Sequence, residues 1–162
     1  MLCVYLSGPI SAKSFDQATR WRQLAGGQLR AAGFRVLDPM RGKSFLSTQA
    51  RIEREAYERW ANPRLSDKAL TRRDKLDVLT ADIILVYLME ADVASIGTIY
   101  EMAWAEDHNK LVVIALNDHN VHNHPFVRET GVLFGTLGEA LDYIVSCGVE
   151  ELPDALREPA AS

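Results

Sequence analysis

The chain has 162 residues, 48% of them hydrophobic and 25% charged, the balance of a single soluble globular domain with a substantial core. No apolar run reaches the ~18 residues of a membrane span, so no membrane association is expected. The net charge of −4, with no dense basic stripe interleaved with aromatics, argues against binding a nucleic acid polymer.

The first segment, "LCVYLSGPI" (2–10), is a short apolar run closed by Gly-Pro, which predicts a buried strand and then a loop. The segment 14–33 has helical spacing at Phe15, Ala18, Trp21, Leu24 and Leu29, with Ser14 as N-cap and Gly33 as the stop. "FRVLDP" (34–39) is a second strand, and 40–49 reads as loop. A helix is expected over 50–63, ending before Pro63. A firmer one covers 65–81, capped by Ser66, with Ala69, Leu70, Leu76 and Leu79 as its apolar stripe. "DIILVYL" (82–88) is a continuous apolar run of the kind covered on both faces of a sheet.

"ASIGTIYEMAWA" (94–105) follows as a helix, and "LVVIAL" (111–116) as another buried strand. "HPFVRET" (124–130) reads as a short helix, "VLFGT" (132–136) as a brief apolar piece, and 137–148 as a helix ended by Gly148. Residues 1–148 thus form one domain, and 149–162, with two prolines, a loosely held tail. Strands alternating with helices predict a five-stranded parallel sheet with helices on both faces, in the order 2-1-3-4-5. Such sheets bind ligands beyond the carboxyl ends of their strands, which here are residues 5–13, 38–45, 88–98 and 117–124.

The N-terminus lacks a basic region before its apolar run, which reads as no signal peptide. Cys3 and Cys147 fit no metal spacing, so a reducing cytoplasm is the expected compartment. Charge is unevenly spread. Residues 1–75 hold 15 Lys/Arg against 7 Asp/Glu, and residues 76–162 hold 3 against 15. This asymmetry marks either two differently solvated surfaces or a basic wall for a small anionic ligand.

Glu101 lies near the start of its helix, where unpaired N–H groups and partial positive charge favour an ionised carboxylate, the form a nucleophile requires. It can equally serve as a plain complement to the helix dipole. Gly97 would let a ligand approach the backbone. Asp74 lies eight residues before Asp82, on the helix feeding the strand, and shares a face with residues 77 and 81. Asp74 is a site residue or an ion-pair partner of Arg73 or Lys75. Tyr5 ends the first strand with its hydroxyl toward the site, or is a core tyrosine.

Taken together, "VYLSGPI", the Asp ahead of "ADIILV", and "SIGTIYEMAWA" resemble the nucleoside 2-deoxyribosyltransferase family, whose superfamily includes 2′-deoxynucleoside 5′-phosphate N-hydrolases and cytidylate N-glycosidases. The resemblance spans residues 2–146, and its most specific part is the S-x-G-T-x-x-E-x-A-x-A run. It implies a flavodoxin-like fold and cleavage of the bond between a base and C1′ of a sugar. It makes Glu101 the nucleophile, Tyr5 the group that orients it, and Asp74 a contact or proton source for the leaving base. It implies no metal or organic cofactor, a nucleoside or nucleotide plus free base as partners, and assembly as a homodimer or larger, to which Trp60, Trp104 and Phe126 could contribute.

One departure concerns the substrate. Transferases acting on free nucleosides commonly carry an Asp six residues before the nucleophile, where this chain has Ser95. A serine can donate to a phosphate and an aspartate would repel it. With Gly8, Ser11, Lys13, Asp38, Arg41 and Lys43 on the strand-end loops, Ser95 is a candidate substrate contact, and the alternative for these loop side chains is solvation. Asp92, nine residues before Glu101, could reach the sugar hydroxyls instead. His119, His122 and His124 lack a Cys or carboxylate to complete a metal pattern, so no metal is expected. Two other readings are an NAD-cleaving module on a related fold and a non-catalytic nucleotide sensor.

Overall fold

The five apolar runs become five parallel strands: β1 (Cys3–Ser7), β2 (Arg35–Leu37), β3 (Ile83–Tyr87), β4 (Leu111–Ala115) and β5 (Val132–Phe134). They stand in the order β2-β1-β3-β4-β5, the order read from the alternation of strands and helices. The computed structural model describes residues 1–53, 55–58 and 62–148. The helices are α1 (Phe15–Ala31), α2 (Glu55–Glu58), α3 (Asp67–Thr80), α4 (Ile96–Asp107), α5 (Pro125–Arg128) and α6 (Leu137–Cys147), with 3-10 turns at Ser44–Leu46 and Pro63–Leu65.

Local chemistry sets the helix ends. The Ser14 hydroxyl accepts from the Gln17 N–H while the Gln17 side chain accepts from the Ser14 N–H, a reciprocal capping box. Gly33 takes a φ of +87°, which costs a glycine nothing. Ser66 and Ser95 cap α3 and α4, accepting from Ala69 and Thr98.

Side chains alternate across the sheet and fill two apolar layers. Tyr5, Ile84, Val86 and Ile114 pack with Val78 of α3 and Met102 and Ala105 of α4. Val4, Leu6, Leu85 and Val113 face the other way, onto Trp21, Ala25 and Leu29 of α1 and Leu141 and Ile144 of α6. A third cluster joins Ala18 to Met40, Leu46, Ile52 and Ala56, beneath the segment after β2. Among the described residues no helix is long and apolar enough to cross a membrane.

The predicted stripes of two helices are shifted. Leu24 is 53% exposed and Leu76 63% exposed. The buried face of α1 runs through Ala18, Arg22, Ala25 and Leu29, and α3 buries Asp77 and Val78. In α1 these positions recur at i, i+4, i+7 and i+11, along one helix face. Polar residues are tolerated on the packed faces because they are partnered: Arg22 donates to backbone carbonyls and Asp77 accepts from Arg41. The helix expected over 50–63 is observed over Glu55–Glu58. Residues 51–53 are instead extended or bent, with Ile52 exchanging backbone hydrogen bonds with Ala12 and Lys13. Trp60 and the tail 149–162 lie outside the described residues.

Candidate active site

Period-2 alternation aims Tyr5 and Ser7 at the same layer as α4. Both are fully buried. Glu101 comes to them from the second turn of α4, and each hydroxyl takes one carboxylate oxygen. The Tyr5 hydroxyl donates to Oε1 at 2.7 Å and the Ser7 hydroxyl to Oε2 at 2.5 Å. Gly97 lies one turn before Glu101 on the same helix face, and a Cβ there would meet nothing within 4 Å. The turn beside the carboxylate is therefore open while its two oxygens are held from beneath. Sequence reading missed Ser7, because a lone serine in a buried strand carries no distinguishing pattern.

Burial pushes the Glu101 carboxyl up to about 7. Hydrogen bonds from Ser7 and Tyr5 pull it down, the charge of Asp74 pushes it up, and Arg22 pulls it down. The expectation of a carboxylate kept ionised by the helix dipole is thus revised. The dipole acts within the first turn, and at position 101 desolvation wins. The Tyr5 phenol is pushed well above its ordinary value by burial and then by Glu101, so it stays protonated as a donor.

Asp74 is half-buried on α3. Its Oδ1 accepts from Arg73 Nη2 at 2.9 Å and Nε at 3.1 Å, and Arg73 also donates to the Pro39 carbonyl at 2.8 Å. Asp74 is thus an ion-pair partner of Arg73, and its charge also acts on Glu101, Tyr5, Lys43 and Tyr57. Lys43 is buried with its ammonium 5.4 Å from the Tyr57 ring centroid. Burial lowers that amine to about 8, with Asp74 acting in the opposite direction.

Other charged groups on the loops are already engaged. Arg41 forks onto Asp77 at 2.5 and 3.0 Å. Lys13 donates to Asp92 at 2.8 Å and to the Glu90 carbonyl. Asp38 accepts from the Met40 N–H at 2.7 Å and lies 3.7 Å from Arg22 Nε. The Ser95 hydroxyl caps α4 and bonds Thr98 Oγ1 at 2.9 Å. Ser11 is exposed. A Cβ on Gly8 would stand 2.8 Å from the Tyr87 carbonyl oxygen and 2.9 Å from the Trp21 ring, so packing alone demands glycine there.

The 88–95 connection that launches α4 is tied down along its length. Asn120 Nδ2 donates to the Leu88 carbonyl at 2.6 Å, and Asn117 Nδ2 to Met89 at 3.1 Å. Lys13 holds Glu90 and Asp92. The Ser95 N–H donates to His122 Nε2 at 2.8 Å, while His122 Nδ1 lies 3.1 Å from Asn120 Oδ1. His122 is thus a buried structural acceptor. His124 caps α5 by accepting from Phe126. Trp104 is half-buried against the core, and Phe126 is 83% exposed.

The fold recurs in solved enzymes. A 2-deoxyribosyltransferase from Bacillus psychrosaccharolyticus is 15% identical, matching 87% of this chain and 91% of that one, with a TM-score of 0.62. The CMP N-glycosidase BcmB of Clostridium botulinum is 15% identical, matching 88% of this chain and 96% of that one, with a TM-score of 0.54. These are the kinds of enzyme named by the motif resemblance. No family model and no curated protein matches the sequence.

Proposed function

We propose that this protein breaks the N-glycosidic bond of a nucleoside or nucleotide through Glu101 and passes the sugar to a second base. The observation that carries this reading is a carboxylate with both oxygens held by buried hydroxyls beside an open helix turn. The shared fold and the motif resemblance support it.

In its ionised form Glu101 attacks C1′. The C1′–N bond breaks and its electron pair leaves with the base, which Asp74 contacts or supplies with a proton. A nitrogen of a second base then displaces Glu101 from C1′ and gives up its proton to Asp74 or to water, restoring the carboxylate. Splitting one displacement into two easier ones is the advantage of a covalent intermediate. Gly97, Lys43, Asp38 and Ser11 are the proposed substrate contacts, with Gly8 fixing the strand end beside them. The exposed apolar side chains Ile96, Tyr100 and Phe126 support assembly of copies of this chain.

Transfer is preferred over hydrolysis of a monophosphate because Lys13 and Arg41 are matched by Asp92 and Asp77 and the Ser95 hydroxyl is spent on its helix. The second reading, a nucleoside 5′-monophosphate N-glycosidase, draws on the buried Lys43 ammonium and on the likeness to a CMP N-glycosidase.

The test is incubation with deoxynucleosides and deoxynucleoside monophosphates, each with and without a second free base, following base release. Release that requires a second base supports transfer. Release from monophosphates alone supports hydrolysis, and no release from any of them ends the proposal. Ser95→Asp sharpens the test, because aspartate is an equally good helix cap. Under the monophosphate reading it weakens use of monophosphates more than of nucleosides.

A further inference from the structure

Arg22 has no exposed side-chain surface, though arginine is almost never fully buried without partners. Its hydrogen-bond partners are backbone carbonyls, and the Asp38 carboxylate lies 3.7 Å from Nε. Nη2 donates to the Gly8 carbonyl at 2.8 Å, Nε to the Leu6 carbonyl at 3.4 Å, and Nη1 to the Ala18 carbonyl one turn back on α1. The ring of Trp21 lies 4.4 Å from its guanidinium carbon. The carbonyls of Leu6 and Gly8 flank Ser7, whose hydroxyl holds Glu101 Oε2.

We infer that Arg22 is a positioning residue for Glu101: its fork clamps the strand on both sides of Ser7 and so aims that hydroxyl at the carboxylate. The inference rests on the reading of Glu101 as the reacting group, and it adds a residue that acts through another. A planar guanidinium holds its donors in a fixed fork, whereas an ammonium on a flexible stem is a point charge without that geometry. The charge of Arg22 also opposes protonation of Glu101. Among the described residues, the charged and titratable groups that act on that carboxyl include Tyr5 on β1, Asp74 on α3 and Arg22 on α1, with Lys43 after β2 coupled to it and Asp38 facing Arg22.

The experiment is a carbon-13 NMR titration of the Glu101 carboxyl without substrate, its signal assigned by loss in Glu101→Gln. Arg22→Lys keeps the charge and loses the fork. Its Glu101 midpoint is expected to rise by about half a unit or more, and Arg22→Met to raise it further. The acid limb of turnover shifts in the same direction, with KM changed less than about threefold, as expected when orientation rather than ground-state binding is lost. In a Ser7→Ala background Arg22→Lys adds little. In the wild type, the Arg22 Nε nitrogen-15 signal follows the same midpoint, which serves if the variants fail to fold.

A wild-type Arg22 signal that ignores the Glu101 titration would overturn the inference. So would an Arg22→Lys midpoint equal to that of the wild type in folded protein. Because the titration needs no substrate, absent base release would count against the proposed activity and leave this test intact.

Discussion

Tyr5 and Glu101 are 96 positions apart in the chain and 2.7 Å apart at the site. The contact joins the first strand to α4 and gives the carboxylate a donor that does not itself ionise. Removing it has two effects. Tyr5→Phe should lower turnover by roughly ten- to a hundredfold, the value of a hydrogen bond to a charged group. The Glu101 midpoint should rise, so the loss is greater at pH 6 than at pH 8. A pH–rate profile of base release checks both, and an unchanged acid limb would refute the role.

Glu101 itself is costly to the fold. Its carboxyl holds its proton up to about pH 7 when folded, against an ordinary value of 4.5. The folded state therefore binds more protons than the unfolded chain between these values, and stability falls as pH rises across that window. Above it the cost is on the order of 3 kcal/mol. Glu101→Gln should consequently be more stable than the wild type at pH 8 and nearly equal to it near pH 4.5. It should also lose at least about a thousandfold in base release. Urea unfolding at the two pH values, with the assay alongside, tests this; a Gln variant less stable than wild type at pH 8 contradicts it.

His122 works in the opposite direction. Burial lowers its imidazole from the ordinary 6.5, and its Nε2 accepts from Ser95. Its stabilisation is present above pH 6.5 and lost as pH falls through the lowered folded value. His122→Ala should cost about 1–3 kcal/mol at pH 8 and flatten the stability curve on the acid side. Denaturant midpoints at several pH values measure both, and an undiminished acid slope in the variant would assign that slope to other groups.

Two glycines should answer oppositely to alanine. Gly8→Ala brings a methyl against the Tyr87 carbonyl at 2.8 Å and should cost about 1–3 kcal/mol. Gly27→Ala, inside α1 with nothing within 4 Å of the new methyl, should gain about 0.5–1 kcal/mol. Thermal unfolding of the two variants separates packing from propensity; stabilisation by Gly8→Ala would mean that the strand end has room to move.

The strand order was legible because uninterrupted apolar runs such as 82–88 and 111–116 alternate with capped helices, and because Ser14, Gly33 and Ser66 mark helix ends by local chemistry. The buried faces of α1 and α3 were less legible. Arg22, Asp74 and Asp77 occupy them, so a count of apolar residues selected Leu24 and Leu76, which are exposed. At the site, Glu101 and Tyr5 could be singled out and are brought together. Ser7 and Arg22 could not, because one hydroxyl in a buried strand and one arginine in a basic helix carry no distinguishing pattern. Pairings such as Lys13 with Asp92 and Arg41 with Asp77 are long-range and left no trace in spacing.

The ties along residues 88–95 make the length of that connection a fixed quantity. Each residue of an α-helix turns the next side chain by about 100°. One residue inserted after Leu88 would either break the grips of Asn117, Asn120, Lys13 and His122 or swing position 101 off the strand that cradles it. Composition can drift in this span, but its residue count cannot. A chain bearing one deletion there should still build its sheet and yet be chemically silent.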